Sequence, residues 1–197
     1  MILTGPEIKR QMDLGEICID PFNEKHVGPN SYDVTLNSKL ICYDFDLPNK
    51  QGMQVLDMKG HHSTCEIEIP EEGLILSPGD LYLAMTNETA VSKKFVPMLE
   101  GRSSIGRLGI NIHSTAGFGD IGWGYTPEGD CIKPTWTLEI SVIRQVRIYP
   151  NVKIGQVYFM VAQGDVKMYT GKYSSQKIPQ SSMSFKDFDK SADNGSK

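Results

Sequence analysis

The feature that most limits how this chain folds is a period-two alternation of apolar and polar residues, repeated in short runs. Apolar side chains occupy every second position from Tyr32 to Leu36, from Cys65 to Ile69 and from Trp136 to Val142. Residues 156–161 form a more continuous apolar run, which is typical of a buried strand. Turn-forming Gly, Pro and Asn residues separate these runs, at 28–30, 48–49, 77–80 and 149–151. Many short strands with frequent turns predict a mainly β fold, a distorted barrel or sandwich, and not βαβ units.

Helical signals are confined to two places. Thr4 and Glu7 have the spacing of a capping box, and Gly15 provides a stop, so the sequence predicts an N-terminal helix between them. The segment from Ser103 to Leu108 predicts a second, short helix.

Composition excludes several classes of protein. The chain has 197 residues, of which 39% are apolar, enough for the core of one domain and too many for a disordered chain. No apolar run approaches the roughly 18 residues of a membrane helix. The N-terminus has no basic region before an apolar run, which argues against a secretory signal and predicts a cytoplasmic location, or the host cytoplasm for a viral protein. Lys and Arg number 20 against 24 Asp and Glu, so the net charge of -4 disfavours nucleic acid as a partner.

The cysteine pattern argues against a zinc site. Cys18, Cys42, Cys65 and Cys131 are far apart and form no C-x-x-C pair, so we expect four ordinary thiols in a reducing compartment. Residues after Lys177 are polar and weakly patterned, which predicts a flexible tail over residues 178–197.

The densest cluster of reactive residue types lies between Glu100 and Gly109. It contains two arginines, two serines and three glycines within ten residues. Guanidinium groups, hydroxyls and backbone N–H groups freed by glycine suit a polyphosphate. A solvated helix start has the same composition, so both interpretations stay open on chemistry alone.

Two carboxylates further along the chain are candidates for a site. Asp120 lies among small residues, where it either accepts a hydrogen bond from a ligand hydroxyl or caps a turn. Glu139 follows Thr137 and Leu138 on a predicted strand whose other face is apolar. It is either a solvated surface residue or a carboxyl that faces a partly dry pocket and transfers protons.

The order of these motifs resembles that of the dCTP deaminases of the dUTPase-like superfamily. The matching segments run in the family's order over nearly the whole chain: Pro29–Leu36, Gly101–Gly109, His113–Gly117, Asp120–Gly122, Thr137–Glu139, Ile154–Gln156 and Tyr169–Gln176. Each motif is modest evidence alone, but their coincidence in one order is specific.

The resemblance implies a distorted β-barrel that forms a homotrimer with active sites between subunits. It implies that Arg102, Ser103, Ser104 and Arg107 bind the triphosphate and the reacting end of the base, and that Asp120 receives the deoxyribose 3′-hydroxyl. It places the catalytic glutamate at Glu139 and substrate contacts at Thr137, Leu138 and Gln156. It also implies a C-terminal lid that carries Tyr169, Lys172 and Gln176, and a Mg²⁺ ion held mainly by the substrate phosphates.

The resemblance further implies deamination without zinc. The zinc deaminases carry H-x-E and P-C-x-x-C motifs, and this chain has neither. Glu139 then activates the water that attacks C4 of cytosine and protonates N3. Ser103 and the backbone near Ala116 position that water, and Arg107 stabilises the developing charge.

Gly117 separates two activities that share this scaffold. Deaminases that stop at dUTP tend to carry a bulky residue after the Thr-Ala pair, whereas bifunctional members, which also cleave dUTP to dUMP and pyrophosphate, have glycine. The sequence therefore predicts a bifunctional enzyme over residues 1–177, including the lid. Four alternatives stay open: a monofunctional dCTP deaminase, a dUTPase, a deaminase of another deoxycytidine nucleotide such as dCMP, and a non-catalytic nucleotide-binding trimer.

An extension at residues 124–134 departs from the family pattern, which joins the Asp120 and Glu139 motifs by a short hairpin. Its Gly and Pro content predicts a surface loop. A loop that lies over the pocket is the alternative, and it would change which nucleotide fits.

Overall fold

The computed structural model describes residues 1–44, 55–113, 117–174 and 178–188. The strands within these ranges are β1 (Ile17–Asp20), β2 (Tyr32–Tyr43), β3 (Thr64–Glu68), β4 (Leu74–Leu76), β5 (Tyr82–Thr86), β6 (Thr89–Ser92), β7 (Phe95–Gly101), β8 (Ile110–Asn111), β9 (Thr137–Val142), β10 (Val146–Ile148) and β11 (Lys153–Val161). The helices are α1 (Gly5–Asp13) and α2 (Ser103–Gly106), with short 3-10 turns at Glu24–His26 and Ser184–Phe188. The predicted mainly β fold is thus confirmed.

One sheet runs in the order β7-β11-β2-β5-β9-β8, and β3 also pairs with β2. The chain beyond β8 pairs with β7, because Leu99 N donates to Gly117 O at 2.6 Å and Gly119 N donates to Pro97 O at 2.8 Å. These bonds join the two ends of the sheet, so it is nearly closed into a barrel. Two small sheets, β1 with β6 and β4 with β10, accompany it.

The alternating sequence decides which side chains enter the barrel. On β9, Leu138 and Ile140 are fully buried, while Thr137 and Glu139 face the other way and are half-buried. On β2 the alternation fails at Thr35, which is buried although polar. Its N–H and hydroxyl donate to the carboxylate of buried Glu88 at 2.7 and 2.8 Å. A buried hydroxyl needs such a partner, and the pattern alone does not supply it.

The N-terminal helix is present, but the predicted capping box is wrong. Thr4 occupies the N-cap position, yet its side chain makes no capping hydrogen bond. Glu7 instead accepts hydrogen bonds from Arg10 and Gln11 one turn later, each at 2.7 Å. Arg10 and Gln11 follow Glu7 by three and four residues, on the same side of the helix, so their side chains compete with the N-cap residue for the Glu7 carboxylate. None of the helices in the described part of the chain is long and apolar enough to cross a membrane.

Candidate active site

A cavity of about 410 Å³ lies beside β5 and β9. Its described lining comes from distant parts of the chain: Tyr43, Leu81, Leu83, His113, Gly119, Asp120, Trp123, Trp136, Thr137, Glu139, Tyr169, Tyr173, Gln180, Ser181 and Ser182. Four of the predicted site residues, Asp120, Thr137, Glu139 and Tyr169, therefore share one cavity.

Strand register places the carboxyl of Glu139 beside an apolar wall. Glu139 pairs directly with Leu83 across β9 and β5. Directly opposed residues project to the same face of a sheet, and both line the cavity. Leu83 is only 4% exposed. On the cavity side of the sheet, the half-buried carboxyl of Glu139 therefore lies next to Thr137 on β9 and opposite the buried Leu83 on β5.

Two indole rings form the inner wall of the cavity. Trp123 and Trp136 meet edge to face, with ring centroids 5.0 Å apart. The Trp136 ring N–H donates to Ala90 O at 3.0 Å, and the Trp123 ring N–H donates to Tyr173 O at 2.8 Å. Both rings are held by hydrogen bond and packing, so they give the cavity a fixed apolar shape.

Gly119 allows this wall to form. A Cβ atom at residue 119 would lie 2.8 Å from Cη2 of Trp136 and 3.2 Å from Cγ of Pro97. Only glycine leaves room for the indole ring of Trp136 at this position. The next residue, Asp120, is exposed and lines the cavity.

The C-terminal segment closes one side of the cavity. Tyr169 N donates to Ile121 O at 2.9 Å. Further on, Ser182 N donates to the hydroxyl of Tyr43 at 3.0 Å, and Met183 N donates to the hydroxyl of Tyr173 at 2.9 Å. The described part of the predicted tail, residues 178–188, therefore lies against the barrel, while the boundary at residue 177 stays a prediction.

Lys172 is engaged by that segment. Its ammonium donates to both carboxylate oxygens of Asp187 at 2.7 Å. Lys172 is not among the residues that line the cavity. A phosphate that binds Lys172 must therefore compete with Asp187.

The predicted phosphate residues lie elsewhere on the molecule. Ser103, Ser104 and Arg107 are exposed on and after α2. Arg102 pairs with Asp33, at 3.2 Å from Nε to Oδ1, and Asp33 also binds Lys153 at 2.9 Å. None of these lines the cavity that holds Glu139.

The strand ladder shows how far apart the two groups are. Gly109, just after α2, accepts a hydrogen bond from Ile143 N at 3.0 Å. Ile143 lies four residues beyond Glu139, which is about 13 Å at the usual rise of a strand. Within one chain, α2 therefore lies near the C-terminal end of β9, whereas Glu139 is the third of the six residues of that strand.

The remaining predicted residues differ in their placement. Gln156 is half-buried on β11, paired with Glu100 and Asp33 on the two neighbouring strands. The side chain of Leu138 is fully buried in the core, so only its backbone is available to a ligand. Ala116 and Gln176 lie outside the described residues.

The extension at residues 124–134 does not cover the cavity of its own chain. It packs against β1, where Lys133 pairs with Asp20 at 2.9 Å. Tyr125 bridges to Cys131 and closes the loop upon itself. None of residues 124–134 is among the described residues that line the cavity, so the alternative in which this loop lies over the pocket is wrong for the pocket described here.

Sequence reasoning missed several cavity residues. Tyr43 and Ser182 meet although 139 residues separate them, and no periodicity links them. The fold alone brings the end of β2 to the C-terminal segment. Tyr173 could have been predicted from the sequence, because it follows Lys172 in the motif of the predicted lid.

In the described part of the chain, no group of three or more His, Cys, Asp or Glu residues is arranged to hold a metal ion. The carboxylates among the described lining residues are Asp120 and Glu139.

Comparison with known proteins identifies the family of this chain and agrees with its fold. The family model described as dCTP deaminase-like matches residues 2–162. A protein of Clostridium beijerinckii named "dCTP deaminase, dUMP-forming" is 47% identical over 192 residues, 96% of this chain and 100% of that protein. Proteins of Hathewaya histolytica and Leptospira biflexa with the same name are 46% and 44% identical, each over 96% of this chain and at least 99% of their own length.

A solved structure shares the fold. The 2′-deoxycytidine 5′-triphosphate deaminase from Agrobacterium tumefaciens superposes with a TM-score of 0.55 at 20% identity, over 82% of this chain and 48% of that one. The barrel is thus a fold found in a known class of proteins. The chain belongs to the dCTP deaminase-like family.

Proposed function

We propose that the protein deaminates dCTP to dUTP and then cleaves dUTP to dUMP and pyrophosphate. The observation that carries the proposal is the position of Glu139, half-buried on the cavity face of β9 beside Leu83 and Thr137. Relatives that match this chain over nearly its full length are named for dUMP formation. The cavity of about 410 Å³ is within the size range of small-molecule sites.

Glu139 supplies the proton transfers of the first reaction. Its carboxylate takes a proton from the water that adds to C4 of cytosine, and the resulting acid protonates N3. Collapse of the tetrahedral adduct then expels ammonia and leaves the uracil carbonyl. The apolar neighbours Leu83 and Trp136 limit competing water, which favours such transfers.

The sugar and the base occupy the described cavity. Asp120 accepts a hydrogen bond from the 3′-hydroxyl, and Tyr169 and Thr137 border the base. Leu138 lies between Thr137 and Glu139, and its backbone N–H and C=O groups contact the substrate.

The phosphates are bound by residues of a second subunit. Arg102, Ser103, Ser104 and Arg107 lie near the C-terminal end of β9 and outside the cavity that Glu139 lines, so a complete site requires α2 of a neighbouring chain. A homotrimer with sites between its subunits supplies this arrangement. Gln156, Lys172 and Gln176 complete the binding residues, the last two as parts of the lid.

The second reaction is hydrolysis between the α- and β-phosphates. Water attacks the α-phosphorus, the α–β bridging bond breaks, and pyrophosphate leaves. A Mg²⁺ ion bound to the phosphates would neutralise charge that develops on the leaving pyrophosphate. Gly117 supports this step: a Cβ at residue 117 would lie 3.3 Å from Cε1 of His113, and His113 lines the cavity.

Product analysis tests the proposal. Purified protein is incubated separately with dCTP, dCMP and dUTP, with Mg²⁺ present, and the products are separated by anion-exchange chromatography. We expect ammonia, dUMP and pyrophosphate from dCTP. Persistent dUTP with no cleavage of added dUTP would leave a monofunctional deaminase. Conversion of dCMP but not dCTP would contradict the triphosphate site, and no turnover of any of the three would leave a binding protein.

The domain boundary at residue 177 and the cytoplasmic location are likewise proposals that rest on the sequence.

A further inference from the structure

Two cysteines that are far apart in sequence line one cavity, which is separate from the candidate active site. Cys18 on β1 and Cys131 in the loop of residues 124–134 both line this cavity, and their thiols interact. Two residues further on, Asp20 and Lys133 form an ion pair at 2.9 Å. The ion pair therefore holds the loop beside β1, next to the two cysteines.

A small-molecule reagent can reach this pair. Both thiols are half-buried and line a second cavity of about 410 Å³, together with residues of α1, β1 and the loop. The described lining of this cavity shares no residue with that of the candidate active site. Nothing in the proposed deamination uses either cysteine.

We propose that Cys18 and Cys131 are a reversible redox modification site, closed to an intramolecular disulfide by exchange with a low-molecular-weight disulfide such as oxidised glutathione. The crosslink joins the loop of residues 124–134 to β1. The loop supplies one of the two thiols, and β1 supplies the other.

Cys131 is the attacking group. The hydrogen bond from Cys18, a hydrogen bond from the backbone of Lys133 and the nearby Lys133 ammonium lower the pKa of Cys131 to about 7. The pKa of Cys18 is raised by its hydrogen bond to Cys131 and by burial. At neutral pH, Cys131 therefore exists partly as the nucleophilic thiolate, while Cys18 keeps its proton.

The exchange balances in two steps. The Cys131 thiolate attacks one sulfur of the small disulfide, forms a mixed disulfide and releases the first small thiolate, which takes a proton from water. Cys18 then attacks Sγ of Cys131, the second small thiolate leaves, and it takes the proton that Cys18 loses. The protein gains one S–S bond, and the small disulfide is reduced to two thiols.

The other two cysteines form a natural control. Cys42 and Cys65 are directly opposed on β2 and β3. Asp44 N donates to Ser63 O at 2.9 Å, so Asp44 and Ser63 are a hydrogen-bonded pair. Hydrogen-bonded pairs recur at every second position of an antiparallel ladder, so Cys42 and Cys65, two positions along, are also such a pair. Cβ atoms in such pairs are about 5.5 Å apart, beyond the roughly 3.5–4.5 Å of a disulfide. Burial also raises the pKa of Cys42 to about 12. We expect this pair to stay reduced.

Peptide mapping of the full-length protein tests the proposal. One sample is treated with oxidised glutathione and one with dithiothreitol, and both are then alkylated, digested and analysed by mass spectrometry. We expect a crosslinked pair of peptides carrying Cys18 and Cys131 only after oxidation, with Cys42 and Cys65 alkylated in both samples. The crosslink encloses more than half of the chain, so the Tm of the oxidised protein should rise by about 5–15 °C and return with dithiothreitol.

Matched variants assign the effect. Cys131→Ser should abolish both the crosslink and the Tm shift, whereas the double variant Cys42→Ser/Cys65→Ser should keep both. If Cys131→Ser does not fold, the peptide map of the unaltered protein decides by itself. Four alkylated cysteines after oxidation, a stable glutathione adduct on Cys131 without a crosslink, or a link between Cys42 and Cys65 would each overturn the proposal.

Discussion

At the scale of single residues, the pairing of Glu139 with Leu83 leads to the most direct prediction. Glu139→Gln keeps the shape of the side chain but removes the group that accepts a proton. We expect the rate of dCTP deamination to fall by about 10²-fold or more, since a general base contributes roughly that much. Ammonia release measures the rate, and an unchanged Tm controls for folding. Near-normal deamination by this variant would contradict the role of Glu139.

Gly117 is the residue on which the second activity depends in our proposal. Gly117→His fills the space next to His113, where even a Cβ would be 3.3 Å from the ring. We expect pyrophosphate release to fall more than ammonia release, because the added bulk obstructs the second attacking water. Parallel assays of both products measure the ratio. Equal loss of the two would indicate that Gly117 serves folding alone.

Gly119 makes a prediction about stability. Gly119→Ala places a Cβ 2.8 Å from the Trp136 ring, and we expect the free energy of unfolding to fall by about 1–3 kcal/mol, the usual cost of overpacking. Urea denaturation measures it. Gly106→Ala is the matched control, because a Cβ there meets nothing within 4 Å. Equal stability of both variants would show that the indole wall yields to the added methyl.

At the scale of elements, the C-terminal segment competes with substrate for Lys172. Asp187 is largely exposed, so its ion pair with Lys172 adds little stability. Asp187→Asn should leave Tm unchanged and lower the KM for dCTP by up to about 5-fold, since the lost pair is worth up to about 1 kcal/mol. Steady-state kinetics measure this, with Asp187→Glu as the control that keeps the charge. A raised KM would instead make the pair a part of the productive closed lid.

At the scale of the whole molecule, the distance between α2 and Glu139 predicts shared sites. Arg107→Ala and Glu139→Gln should each be inactive alone. In trimers that contain both variants, up to about a third of the normal activity should return, because one of the three sites then combines two intact halves. Purification by two different tags isolates the mixed assemblies, and light scattering measures their size. An active monomer, or no recovery in mixed trimers, would contradict a site built from two subunits.

The sequence alone predicted the elements whose periodicity is local. Alternation on β9 placed Leu138 in the core and Glu139 on the opposite face, because successive residues of a strand point to opposite sides. The ordered motifs also pointed to the family. The capping box failed since Glu7 found closer partners on its own helix, a competition that spacing does not reveal.

Only the tertiary structure decided which distant residues meet. Tyr43 reaches Ser182, Cys18 and Cys131 line one cavity, and the α2 residues stand apart from the cavity of Glu139 within one chain. Such contacts depend on strand order and register, which are set by the packing of the whole barrel and leave no periodic trace in the chain. The residue types were therefore readable from the sequence, whereas their grouping into a cavity, a thiol pair and a separate cluster around α2 required the fold.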